Sequence, residues 1–146
     1  MKKIKPKITS KGFTPGKSGT HLVLGELQTD VMEILWKSTN KMSVLDVEKI
    51  LLKNREIAHT TVATTLDRMF SKGFLLREKQ GKAFVYSPKF SKAEFEKGVA
   101  QEVLGSLLSQ FTEPAISTFI ELIGEDSEKL DQLEELIRLK REEKEN

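Results

Sequence analysis

His59–Gly73, HTTVATTLDRMFSKG, runs into Phe74–Gln80, FLLREKQ, and then past Gly81 into Lys82–Tyr86, KAFVY. Projected at about 100° per residue, Val62, Leu66, Met69 and Phe70 fall on one side of a helix. Thr60, Thr61, Thr64, Arg68, Ser71 and Lys72 share the opposite side. Thr is a poor helix former, and a face kept only for solvent usually mixes Glu with Lys. Here the exposed face carries hydroxyls and cations, with Asp67 alone at its edge. Short hydroxyl side chains let a helix approach a groove closely and bond phosphates or base edges, and Arg68 can reach guanine with two hydrogen bonds.

The two segments after the helix alternate at the period of a strand and meet at Gly81, which predicts a β-hairpin. Phe74, Leu76, Phe84 and Tyr86 are compatible with one inward face. Arg77, Lys79, Lys82 and Lys89 make the remainder basic. Such a ribbon beside a helix suits the sugar-phosphate backbone, where cations displace counterions without reading much sequence. A plain hairpin would also carry lysines to protect its edges.

Upstream, Leu27, Val31, Ile34 and Leu35 repeat on one helical face, Trp36 closes that helix, and Ser38–Lys41 breaks it. Ser43 with Asp46 is a capping-box signal opening a second helix, whose inner face is expected to hold Val47, Ile50 and Leu51. Arg55–Ala58 connects to the threonine helix, and Lys72 with Gly73 supplies a cation and a left-handed cap at its end. Three helices followed by a β-ribbon define a winged helix-turn-helix over residues 22–90. Residues 1–21 hold six lysines, no acids, two prolines and three glycines, and read as a flexible basic arm.

Ser91 to Glu94 is a second capping box, and a long helix follows with Phe95, Val99, Val103, Leu104, Leu107, Leu108 and Phe111 on one stripe. Thr112–Pro114 starts another, with Ile116, Phe119, Ile120 and Ile123, stopped at Gly124. A third begins near Asp126 with Leu130, Leu133 and Ile137. These stripes exceed what a small winged helix can cover, so residues 91–146 are assigned to a helical dimer interface. The fold expected is mainly α with a small β-wing.

The charge balance supports this division. The net charge is only +2, yet residues 1–90 carry 17 Lys and Arg against 8 Asp and Glu (net +9) and residues 91–146 carry 7 against 14 (net −7). A basic half points to a polyanion and an acidic half to another task. The 146 residues contain no cysteine, which excludes disulfides, thiolate metal sites and cysteine nucleophiles and suits a cytoplasmic location. No apolar run exceeds four residues, too few for membrane insertion. His21 and His59 have no partner at ligand spacing, and no GxGxxG, P-loop, GxSxG or HExxH element occurs. No catalytic residue, metal ligand or cofactor is expected; His59 is placed at a helix start or a phosphate.

With these elements placed, LGELQTDVMEILWK (24–37), TTVATTLDRMFSKGFL (60–75) and GKAFVYSP (81–88) resemble the penicillinase-repressor family of bacterial transcriptional regulators, the BlaI/MecI/CopY group. Met69 stands where the family pattern has leucine, and the basic arm is a further departure. The resemblance covers about residues 24–90. It implies a homodimer that represses transcription from a dyad-symmetric operator in double-stranded DNA, paired through its C-terminal helices. Thr61, Thr64, Thr65 and Arg68 match the recognition helix, and Lys79 and Lys82 the wing tip. It also implies induction by cleavage in the stretch from Val99 to Phe111, through a membrane-bound metalloprotease sensor. The copper-sensing branch of the family uses C-terminal cysteines, which this chain lacks. The competing expectations are a winged-helix module that binds a protein, and a regulator with a small-molecule pocket of the multidrug-resistance type.

Overall fold

The computed structural model describes residues 24–146, and the basic arm lies outside them. Along the chain run α1 (Glu26–Lys37), β1 (Met42–Ser43), α2 (Val44–Leu51), α3 (His59–Ser71), β2 (Leu75–Gln80), β3 (Ala83–Pro88), α4 (Lys92–Gln110), α5 (Thr112–Ile123) and α6 (Ser127–Glu145). Helices therefore dominate, with a small antiparallel sheet ordered β1-β3-β2. The chain divides into two compact units, one ending at Val103 and the other Leu104–Asn146.

Local chemistry sets the boundaries in the first unit. The Ser43 hydroxyl accepts from the Asp46 amide at 3.2 Å while the Asp46 carboxylate accepts from the Ser43 amide at 2.9 Å, the reciprocal capping box. The bond from the Ser43 amide, and after it the Ser43 side chain beside the carboxylate, favour the ionised form and hold the Asp46 carboxyl below its ordinary range. Ser91 and Glu94 make the same exchange at the start of α4. Helix α3 ends in a Schellman motif: the Phe74 amide bonds the Met69 carbonyl and the Gly73 amide bonds the Phe70 carbonyl. Gly73 sits at φ 86°, a conformation costly for any residue with a Cβ.

Val31, Met32, Leu35, Val47, Leu51, Val62, Leu66, Met69 and Leu75 form the first core, together with Phe74, Tyr86, Phe95 and Val99. The Phe95 ring is wholly enclosed, edge-on to Trp36 at 5.5 Å and tilted against Phe74 at 5.9 Å. The Trp36 indole N–H donates to the Phe90 carbonyl at 2.9 Å, joining α1 to the segment entering α4.

Five placements expected from sequence differ in the structure. Phe95 and Val99, assigned to a dimer interface, are buried in the first core, with Val103 packed partly against it. The boundary falls after Val103 inside α4 rather than after residue 90, because the winged helix needs the first half of that helix as its lid. The register pairs Leu75 with Pro88 and Arg77 with Tyr86, so Leu75, not Leu76, shares the inward face with Tyr86, and Leu76 is 50% exposed. Phe84 lies on that same face but beyond the core, 40% exposed, and Ile50 is likewise on the surface.

Candidate nucleic-acid interface

Helix α3 packs Val62, Leu66 and Met69 into the core, and this fixes what it turns outward. Thr60, Thr61, Thr64, Arg68, Ser71 and Lys72 are all exposed, as the helical period requires. Thr65 is half-buried, and its hydroxyl donates to the Thr61 carbonyl one turn back at 2.7 Å. That bond takes the hydroxyl proton, leaving Thr65 only acceptor capacity toward a ligand, so Thr61 and Thr64 are the free donors.

His59 opens the helix, exposed, with Nδ1 2.7 Å from a carboxylate oxygen of Glu48 on α2. A carboxylate only accepts, so Nδ1 carries the proton, and about half of the side chain, 55%, is exposed. The pair ties the start of α3 to α2, and Arg55 in the connector pairs with Asp30 on α1. The tertiary pairing at His59 was invisible in the sequence, since the partner lies eleven residues upstream on a different helix.

The wing is a two-residue hairpin. Gln80 pairs with Ala83, Gly81 sits at φ 63°, and no non-glycine residue among those described has positive φ. A positive φ at the first central position alone is the sign pattern of a type II′ turn, which matches strand twist. It places Lys82 in the turn and Lys79 across from Phe84, both exposed. Ser43 of β1 pairs with Val85, so the third strand braces the base of the wing, and Lys41 bonds Glu78 at 2.7 Å.

Arg77 behaves differently from the wing lysines. Its guanidinium donates to Asp67 of α3 at 2.7 Å and lies over the rings of Phe70 at 4.0 Å and Phe84 at 4.3 Å. Asp67, with help from the Tyr86 hydroxyl, holds that guanidinium above its ordinary range. The lone acid on the cationic face is thus neutralised from the wing. The sequence offered one signal for this, a single carboxylate on a face otherwise free of them.

Among the described residues no group of three or more His, Cys, Asp or Glu could hold a metal, and no helix is long and apolar enough to cross a membrane.

The site is a cation- and hydroxyl-bearing helix flanked by a basic wing, the construction of winged helix-turn-helix regulators. The penicillinase repressor family model matches residues 24–139, and the chain belongs to that family of DNA-binding transcriptional repressors. It is similar to the transcriptional regulator BlaI of Mycobacterium tuberculosis, 32% identical over 104 residues that span 70% of this chain and 75% of the relative. The penicillinase repressor of Bacillus licheniformis is 26% identical over 113 residues, 75% of this chain and 88% of its own. Among solved structures, that of the DNA binding domain of the repressor BlaI is 30% identical, with a TM-score of 0.44 over 49% of this chain and 85% of that one. The Bacillus licheniformis BlaI monomeric form in complex with the blaP half-operator has 30% identity and a TM-score of 0.42 over the same shares.

Proposed function

We propose that this chain is a homodimeric repressor that binds an inverted-repeat operator, with α3 in the major groove and the wing on the sugar-phosphate backbone. In this reading Thr60, Thr61, Thr64 and Arg68 meet base edges or nearby phosphates. Lys72, Lys79 and Lys82 neutralise phosphates, and His59 offers Nε2 to the backbone. The observation that carries it is the outward face of α3. It is built of free hydroxyls and cations, and its single acid is cancelled.

Pairing rests on the second unit. No residue from Leu104 to Asn146 is buried, although Leu104, Leu107, Leu108, Phe111, Ile116, Phe119, Ile120, Leu122 and Ile137 all carry large apolar side chains to the surface. Leu104, Leu107, Leu108, Phe111, Ile116 and Phe119 line an apolar groove of ≈ 560 Å³. Forty-three residues with no side chain fully buried cannot offset their ordering entropy alone. A second copy, bringing the same stripes about a two-fold axis, covers both. Ile123, Leu130 and Leu133, already half-covered within the unit, complete the stripes.

The same reading accommodates induction by cleavage between Val99 and Phe111 by a metalloprotease sensor. Helix α4 is the covalent link from the first unit to the second in each protomer, so a cut there removes the pairing helices from that protomer's reading head and unlinks it from its partner. Separated heads lose the effective concentration, of order mM for short links, that paired half-sites provide.

The test is selection of bound genomic DNA followed by footprinting. The expected result is a protected inverted repeat with half-site centres about 10 or 20 base pairs apart. Arg68→Ala lowers discrimination at one base pair by about 1–3 kcal/mol, whereas Lys79→Ala and Lys82→Ala weaken all sequences alike and flatten the salt dependence. Unchanged specificity in Arg68→Ala removes α3 from the reading role. Absence of any protected site at moderate salt favours a protein-binding module instead.

A further inference from the structure

The reading helix and the wing meet at two places. One is the Schellman turn, where Gly73 and Phe74 fix the direction in which the chain leaves α3. The other is the group formed by Asp67 and Phe70 from α3 with Arg77 and Phe84 from the wing. Two attachments along a rod define its pitch, whereas one leaves a hinge. We propose that Arg77 is a positioning residue: it locks the pitch of the wing against α3 and does not itself neutralise a phosphate. The inference rests on the assignment of α3 and the wing to DNA made above.

The chemistry of the guanidinium supports it. The Arg77 side chain is only 23% exposed, and its charge is taken up by Asp67 and two aromatic faces. Its position on the strand, cross-paired with Tyr86 and diagonal to Phe84, places those contacts on the inward side of the ribbon. Lysine at this position would keep the charge but lose the planar group that stacks and the fork that holds a carboxylate. The lever is long. From Phe74 to Gly81 the strand spans about 23 Å at ~3.3 Å per residue, so a change of about 10° at the base moves the tip by about 4 Å. That displacement exceeds the tolerance of a hydrogen bond to one particular phosphate but stays well inside a Debye length of about 8–10 Å, so Lys79 and Lys82 still neutralise the backbone and lose only the register they impose on the operator.

The experiment compares the full-length protein with Arg77→Gln, Arg77→Lys and Asp67→Asn, titrated at several salt concentrations against a selected genomic operator and a scrambled duplex. In DNA-free protein, amide order parameters are measured at Gly81 and Lys82. For Arg77→Gln the ratio of operator to scrambled affinity falls about tenfold, the order of one lost base contact. The slope of log affinity against log salt stays unchanged, and the order parameters drop from about 0.85 toward 0.6. Arg77→Lys does not restore the ratio. A phosphate-contacting Arg77 would instead weaken both duplexes alike and reduce the slope by about 0.9, which overturns the proposal. Unchanged order parameters overturn it too.

Asp67→Asn decides the matter if Arg77→Gln does not fold, because the alternatives differ in sign. A clamp that loses its anchor discriminates less at unchanged slope, whereas a liberated phosphate contact binds every sequence more tightly with a steeper slope. Failure of the unaltered protein to bind any DNA would sink the operator assignment, and the DNA-free order parameters would still judge the clamp.

Discussion

Phe95 separates two roles for α4, and its replacement tells them apart. The ring is fully enclosed by the first core and touches Trp36 and Phe74. Truncation to alanine removes a buried aromatic and leaves a cavity, at a cost of about 3–5 kcal/mol. The described part of the first unit runs from Leu24 to Val103, about 80 residues, for which about 0.05–0.15 kcal/mol per residue gives roughly 4–12 kcal/mol in total. Phe95→Ala therefore removes from about a quarter of that stability to all of it, and Phe95→Leu, costing about 1 kcal/mol, is the sharper probe. A loss of 1 kcal/mol lowers the melting midpoint of a unit this size by about 4–8 °C. The assay is built in: Trp36 is the single tryptophan of the chain and lies against the altered side chain, so its fluorescence follows this core. The expected result is a lower midpoint by Trp36 emission at every protein concentration, with the dimer dissociation constant by sedimentation unchanged. A midpoint that recovers as protein concentration rises, together with a weaker dimer, would show that Phe95 serves the subunit interface and that its place in the first core is wrong.

Two more outcomes follow. Leu107→Lys or Phe119→Lys, placed in the apolar groove of the second unit, shifts the protein to monomer by sedimentation and abolishes tight operator binding while leaving the Trp36 transition in place; a dimer of undiminished affinity would refute the pairing surface. Asp46 has a folded-state pKa held below its ordinary range by the Ser43 amide and hydroxyl. Its contribution to stability is therefore complete above the ordinary carboxylate range and is lost as pH falls through the lowered folded value. Asp46→Asn should flatten the acid limb of stability against pH, measured by urea unfolding from pH 2 to 6, and an unaltered limb would rule out the capping box as its source.

What the sequence displayed was whatever depends on near neighbours. Ser43 with Asp46, Ser91 with Glu94, and Gly73 behind Lys72 are patterns four or fewer residues long, and each forms the cap expected of it. The exposed face of α3 was equally legible, because Val62, Leu66 and Met69 anchor the helix by their period alone. Legibility failed where a stripe is apolar but its partner is unspecified. Phe95 and Leu107 belong to one stripe on α4, yet the first closes a core and the second lies on the surface. Leu75 and Leu76 are both leucine, so the strand period could not choose between them, and the choice was made by pairing with β3. β1 is two residues long, too short to show any period. Arg77 looked like one more wing cation, since its carboxylate is ten residues away and the fold alone brings the two together.

With the pairing proposed above, the absence of any buried residue between Leu104 and Asn146 also bears on how long the protein survives. Helices that gain their burial only from a second chain are ordered in proportion to how often that chain is present, and proteases cut what is transiently open. A scarce repressor paired in this way would be short-lived and an abundant one would persist, so its half-life would rise with its own concentration. Once synthesis fell below the pairing threshold, clearance would accelerate, and the switch from repressed to expressed would be steeper than DNA affinity alone would make it.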